Sequence, residues 1–199
     1  MNPFAGSLTL ANVFTTARLV LIPIFGFLWM RGRGQEALVV FLMAAVTDLL
    51  DGFVARYFNQ MSRLGAVLDP AADKFLLLVG YVAAARVGAV PVWVAILVIG
   101  RDVIIAGGAL LLVTVLKGRM TPADWRPSRL GKYTMFAQST AVALALLLDV
   151  YKPDWGGAWL PPVVLVASML TLASGIQYVL IAIRALLRGA EGAKRKETA

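Results

Sequence analysis

Six long apolar runs, near residues 11–30, 36–58, 66–88, 91–116, 133–150 and 160–187, dominate this chain, and each is long enough to cross a bilayer. Inside hydrocarbon every backbone N–H and C=O must find a partner within the protein, which for runs of this length means helices. The chain is 60% hydrophobic over 199 residues, with a mean hydropathy of +0.79, far outside the usual soluble range. The expected fold is an all-α integral membrane protein of six transmembrane helices forming a single domain over 1–199.

Lys and Arg set the expected orientation. With the N-terminus inside, the inner loops and tail hold Arg56, Arg63, Lys117, Arg119, Arg126, Arg129, Lys132, Arg184, Arg188, Lys194, Arg195 and Lys196, against Arg31, Arg33, Arg86 and Lys152 outside. The formal charge of +8 therefore lies in loops beside apolar spans, where anionic lipid head groups rather than nucleic acid are the nearer partner. No basic run precedes the first apolar stretch, so a cleaved signal peptide is not expected. Residues 189–199, polar and basic, are expected to form a disordered tail. Tyr151, Trp155 and Trp159 suit an outer interfacial belt, and Pro161 and Pro162 a helix start.

Against this background the stretch TDLLDGFVARYFNQMSRLGAVLDPAADK, from Thr47 to Lys74, carries four aspartates: Asp48, Asp51, Asp69 and Asp73. A carboxylate near mid-membrane costs roughly 2.5–3.5 kcal/mol on the insertion scale, so four of them need partners or a water-filled site. Asp48 and Asp51 are three apart and Asp69 and Asp73 four apart, so each pair projects from one helix face. Two helices joined by the short link Asn59 to Arg63 would run antiparallel and bring both pairs to one membrane surface. Convergent carboxylates repel, and divalent cations would neutralise them while using their oxygens as ligands. The chain has no His and no Cys, so the all-oxygen set favours Mg²⁺ or Mn²⁺, with Ca²⁺ a further option, over zinc, copper or iron. Between the pairs, Gly52, the small Ala55, Arg56 and Gly65 would let a diphosphate approach the backbone and meet a planar cationic fork.

Written out, the stretch is D-x₂-D-G-x₂-A-R-x₈-G-x₃-D-x₃-D, eight fixed residues at fixed spacing. It resembles the signature of the CDP-alcohol phosphotransferase family, integral membrane enzymes of phospholipid synthesis. That resemblance implies transfer of a phosphatidyl group from CDP-diacylglycerol to an alcohol with release of CMP, in a cytoplasm-facing polar cavity open to the bilayer. It also implies a homodimer in the bacterial inner membrane and two bound Mg²⁺ or Mn²⁺ ions. By the family pattern Asp48, Asp51 and Asp69 would be the principal metal ligands. Asp73 would be the general base and touch metal as well, and Gly52, Arg56 and Gly65, with Thr47 and Ser62, would line the CDP pocket.

Three further features bear on the acceptor. Asn12, Thr15 and Arg18 recur every three residues, a polar stripe that reads either as an interfacial cap with Arg18 snorkelling or as a working segment. N-x₂-T-x₂-R resembles the opening segment of the phosphatidylglycerophosphate synthase and cardiolipin synthase branches. Arg101 and Asp102 lie within the fourth span, either neutralising each other or forming an active-site wall. The loop Lys117 to Lys132, with Trp125, Arg126, Pro127, Ser128 and Gly131, resembles the P-S-x-x-G-K segment of the same branches. This resemblance implies an acceptor-phosphate pocket of Arg126, Arg129 and Lys132, joined by Arg18 and Arg101; alternatively the loop only sets topology. Asp102 in place of Glu and Ala109-Leu110 in place of Leu-Arg depart from phosphatidylglycerophosphate synthases toward cardiolipin synthase. The expected acceptor is glycerol-3-phosphate, with phosphatidylglycerol as the alternative. A cation or proton transporter is the rival class, but spans one, five and six hold no acid before Asp149.

Overall fold

The computed structural model describes residues 10–57, 65–116, 129–152 and 156–197, with side chains at 10–12, 49, 51–57, 65–67, 109–116, 156 and 186–197 outside the description. The described residues are helical in six elements: α1 (Leu10–Met30), α2 (Gly34–Tyr57), α3 (Gly65–Arg86), α4 (Val92–Leu116), α5 (Arg129–Tyr151) and α6 (Gly156–Glu197). Three stretches among the described residues are long and apolar enough to cross a membrane, Val13–Met30 in α1, Arg129–Tyr151 in α5 and Gly157–Ala185 in α6. The other three helices carry the acids and Arg101, yet they too turn large apolar side chains outward: Leu42 and Val46 on α2, Phe75 and Leu78 on α3, Ile96 and Val103 on α4. Exposed apolar faces of this extent suit lipid rather than water. This is an all-helical membrane protein.

The turns follow local chemistry. Gly32 has φ 74° and Gly88 φ 78°, a left-handed backbone that only glycine adopts without strain. Past Gly32, Arg33 N–H donates to the Leu28 carbonyl at 3.0 Å, and past Gly88, Ala89 N–H donates to Ala84 at 2.8 Å. Both are Schellman closures, which satisfy late carbonyls of α1 and α3 and reverse the chain. Arg33 pairs with Glu36 in the first turn of α2, where an acid suits the positive end of the helix dipole.

The helices group into two compact units. In the first, Met1–Ala95 with Val142–Gly157, α1 packs against both α2 and α3. Its core combines Ile22, Phe25, Trp29 and Tyr81 with small residues, Ala37, Ala44, Ala72, Ala83 and Ala84. Small residues let helix backbones approach closely where no hydrophobic gradient drives association. Phe25 stacks at a tilt on Trp29 and Phe41, with centroids 5.6 and 5.4 Å away, and Trp29 Nε1 donates to Asp149 Oδ2 at 2.9 Å. The second unit, Ile96–Ala141 with Ala158–Ala199, buries a polar seam. Within it, Gln138 Nε2 donates to Thr171 Oγ1 at 2.8 Å, and Thr134 Oγ1 lies 3.1 Å from the Leu170 carbonyl.

Three boundaries differ from the sequence reading. α5 starts at Arg129, which draws Arg129 and Lys132 out of the expected loop into the first turn of a helix. α6 starts at Gly156, so Pro161 and Pro162 lie inside it rather than at its start. As the sixth and seventh residues of the helix they lie past the four N–H groups that any helix start leaves open, so the carbonyls of Gly157 and Ala158 lack their usual donor four residues on. The helix also runs on to Glu197 where a disordered tail was expected, because Ala190, Glu191, Ala193, Lys194, Arg195 and Lys196 are strong helix formers. Of the outer aromatics, Tyr151 and Trp159 are exposed as expected, and Trp155 lies outside the described residues.

The packing of α1 on α3 generates a prediction. A Cβ added at Gly26 would sit 2.2 Å from Val79 Cγ1, and the short branched Val side chain has little room to yield. Gly26→Ala is expected to cost about 1–3 kcal/mol through overpacking. Val79→Ala in the same chain should recover most of that loss, both read by thermal melting in detergent.

Candidate active site

The buried face of α1 runs Thr15, Arg18, Ile22, Phe25, Trp29, a three-and-four spacing along one stripe. Its cytoplasm-proximal end by the expected orientation is polar and the rest apolar, so the same face that packs the core also delivers a hydroxyl and a guanidinium to α2 and α3. Arg18 is 1% exposed, which excludes the snorkelling cap. Its Nη1 lies 2.5 Å from Asp48 Oδ1 on α2 and donates across 3.4 Å to Asp73 Oδ1 on α3. The two carboxylate oxygens are thus no further apart than the sum of those distances. One turn earlier, Thr15 Oγ1 donates to Asp69 Oδ1 at 2.8 Å. Three of the four motif acids are therefore tied to two residues of one helix.

This arrangement answers the repulsion anticipated between the acids. Arg18 supplies them with a protein cation. Burying Arg18 is tolerable because carboxylates face its head, and those carboxylates keep contact with water, their side chains 51% exposed at Asp48 and 45% at Asp73. The side chain of the fourth acid, Asp51, lies outside the described residues, though its backbone continues α2.

The remaining expected site residues divide as follows. Thr47, one residue before Asp48, donates its hydroxyl to the Ala44 carbonyl at 2.7 Å and so keeps only lone pairs for a ligand. Gly52 and Arg56 belong to the last turns of α2 and Gly65 opens α3, which brackets the acids with the expected diphosphate residues at the same helix ends. Ser62 and the link Asn59 to Arg63 lie outside the described residues, as do Arg126, Pro127 and Ser128. Arg129 and Lys132 are exposed in the first turn of α5, a turn with no acid, so their charge adds to the positive end of the helix dipole. An anion is the natural complement to such a helix start.

Arg101 is buried, at 8% exposure, within the second unit. Its Nη1 is 2.5 Å from Asp102 Oδ1, its Nη2 donates to Ser174 Oγ at 2.7 Å, and its guanidinium carbon lies 5.8 Å from the centre of the Tyr178 ring. The pair does neutralise itself, but α6 takes part, and sequence reasoning missed that. Its signal was present: Ser168, Thr171, Ser174 and Gln177 recur every three residues in an apolar helix, the same pattern that marked Asn12, Thr15 and Arg18.

Among the described residues no three carboxylates are close enough together to form a metal-holding group. The chemistry of the set nevertheless fits a hard divalent cation. The donors are all oxygens, Asp48 and Asp73 already share one positive group, and both remain half open to solvent. Asp48, Asp51, Asp69 and Asp73 are the residues that would hold such ions.

Comparison with known proteins identifies the family. The model of the CDP-alcohol phosphatidyltransferase family matches residues 8–188, which includes α1, both acid pairs and most of α6. A probable phosphatidylglycerophosphate synthase of Mycobacterium tuberculosis is 32% identical over 183 residues, 88% of this chain and 82% of that protein. A CDP-diacylglycerol–glycerol-3-phosphate 3-phosphatidyltransferase of Aquifex aeolicus is 31% identical over 172 residues, covering 85% of this chain and 93% of that protein. Human cardiolipin synthase (CMP-forming) is 37% identical over 134 residues, 67% of this chain but 42% of that protein. With its aspartate signature intact on two helices held by α1, the chain belongs to the CDP-alcohol phosphatidyltransferase family and is a phosphatidyltransferase of phospholipid synthesis.

Proposed function

We propose that this enzyme transfers the phosphatidyl group of CDP-diacylglycerol to glycerol-3-phosphate and releases CMP. The observation that carries the reaction class is the meeting of Asp48 and Asp73 at Arg18 Nη1, beside an Asp69 held by Thr15. Asp73 takes the proton of the acceptor hydroxyl as that oxygen bonds to the phosphorus bearing diacylglycerol, and the bond from this phosphorus to CMP breaks. The Arg18 hydrogen bond orients Asp73 for this. Asp48, Asp51, Asp69 and Asp73 would hold Mg²⁺ or Mn²⁺, two ions in this reading, which would neutralise charge on the diphosphate and on the leaving CMP. Gly52, Arg56 and Gly65, with Thr47 and Ser62, line the CDP pocket in this reading.

For the acceptor, Arg126, Arg129 and Lys132 form a cytoplasmic cationic pocket suited to a small dianionic phosphate, with Arg18 and Arg101 as further cations. Two of them open α5, where the helix start adds its own positive potential. The relatives matched over most of their length include enzymes named for glycerol-3-phosphate, which supports this acceptor. Phosphatidylglycerol is the second reading, favoured by Asp102 and by similarity to cardiolipin synthases of human and of Streptomyces coelicolor, the latter 33% identical over 159 residues. The chain works in this proposal as one domain of six membrane spans, homodimeric, in the bacterial inner membrane. Its polar cavity opens to the cytoplasm, where water-soluble CMP and acceptor exchange while the acyl chains stay in lipid.

Activity should vanish in excess EDTA and return with Mg²⁺ or Mn²⁺, since the carboxylates alone repel a diphosphate; full turnover in chelator would remove the metal from the mechanism. Asp73→Asn should lower kcat by about 10²–10⁴-fold while CDP-diacylglycerol still binds, whereas Asp48→Asn should weaken that binding. Purified protein with CDP-diacylglycerol and Mg²⁺ should release CMP on addition of glycerol-3-phosphate, and much less with serine, inositol phosphate or phosphatidylglycerol. Lys132→Gln should raise the KM for glycerol-3-phosphate more than that for CDP-diacylglycerol. Faster turnover with phosphatidylglycerol would instead establish the cardiolipin synthase reading.

A further inference from the structure

Thr15 is 1% exposed on the buried face of α1, and its hydroxyl meets a carboxylate on another helix at 2.8 Å. Other threonines in these helices give their proton to a carbonyl of the preceding turn, as Thr140 does to Phe136 at 2.9 Å and Thr171 to Ala167 at 2.6 Å. In its contact with Asp69 the Thr15 hydroxyl is the donor and Oδ1 the acceptor, which ties a side chain of α1 to one of α3. Oδ2 is the Asp69 oxygen that Thr15 does not engage in that contact.

We propose that Thr15 is a positioning residue for the metal-binding acids: its hydroxyl fixes the rotation of the Asp69 carboxylate and thereby sets the affinity of the site for divalent cations. The inference rests on the reading of Asp69 as a metal ligand. A carboxylate free to turn about its Cβ–Cγ bond must lose that freedom when it binds a cation, and a carboxylate already held does not. Partners of this kind behind a metal ligand are worth about 10–100-fold in metal affinity. The geometry carries a further economy of design, since Thr15 and Arg18 lie three residues apart on one helix. A single rigid element thus holds acids from both α2 and α3.

The test is Mn²⁺ binding to the purified, detergent-solubilised chain without substrate, read from the free-ion electron paramagnetic resonance signal. Thr15→Val keeps the volume and apolar contacts but removes the proton, and should weaken Mn²⁺ binding about tenfold or more, while Thr15→Ser should restore most of it. Thr15→Ala serves as a second variant should Val fail to fold. Raising Mn²⁺ should return the kcat of Thr15→Val close to that of the parent. Wild-type Mn²⁺ affinity in Thr15→Val or Thr15→Ala, with only a lower melting temperature, would overturn the proposal and leave the hydroxyl as a tie between α1 and α3. Asp69→Asn separates the two levels. If it loses Mn²⁺ while the Thr15 variants keep it, the positioning role alone fails; if it too binds like the parent, the metal assignment of Asp69 fails beneath it.

Discussion

A guanidinium buried to 1% exposure between two helices of an apolar protein is the constraint on which the first unit depends. Arg18 has no means of shedding its charge, so α1 can pack only where carboxylates meet its head. Asp48 and Asp73 meet it from α2 and α3. The acids, in turn, would repel one another without a cation. Charge balance therefore selects the arrangement that brings α2 and α3 to the same side of α1, and the apolar residues further along the stripe, Ile22, Phe25 and Trp29, hold that arrangement by packing.

The far end of the same helix is fastened by a second polar contact. Trp29 donates its indole N–H to Asp149, and Gly32 turns the chain back toward α2. Between the two polar ends lie aromatic rings and close helix approaches, with Gly26 against Val79 and Gly80 against Val142. A helix fixed at both ends and packed along its length is a rigid platform, and a site that must align a diphosphate, an acceptor hydroxyl and a base needs one. The second unit solves a similar problem differently. Arg101 is satisfied chiefly by its neighbour Asp102 and by Ser174 on α6, in a seam of hydroxyls and an amide rather than of several acids.

The two units also differ in where their polar groups face. Asp48 and Asp73 of the first keep about half their side-chain surface accessible. In the second, Thr134, Gln138, Thr171 and Ser174 are buried and turned to one another, to Arg101 or to backbone carbonyls. Polar pairs of that kind between membrane helices hold helix register, since each would otherwise leave an unsatisfied group in hydrocarbon.

Much of this was legible in the chain itself. Hydrocarbon leaves the backbone of a long apolar run no alternative to helix, so the helices and their order follow from composition and length alone. Four acids at three- and four-residue spacing cannot be mistaken for packing, and their family signature identifies the chemistry. The stripe Asn12, Thr15, Arg18 was visible as a stripe, yet spacing along one helix says nothing about which neighbour receives it. That Thr15 reaches Asp69 and Arg18 reaches Asp48 and Asp73, residues more than two dozen positions away, is decided by how α1, α2 and α3 pack. The same holds for Ser174 beside Arg101, 73 positions apart. Periodicity is a local property of the sequence, whereas the choice of partner is settled by the requirement that buried polar groups find each other at once, which only the tertiary structure satisfies.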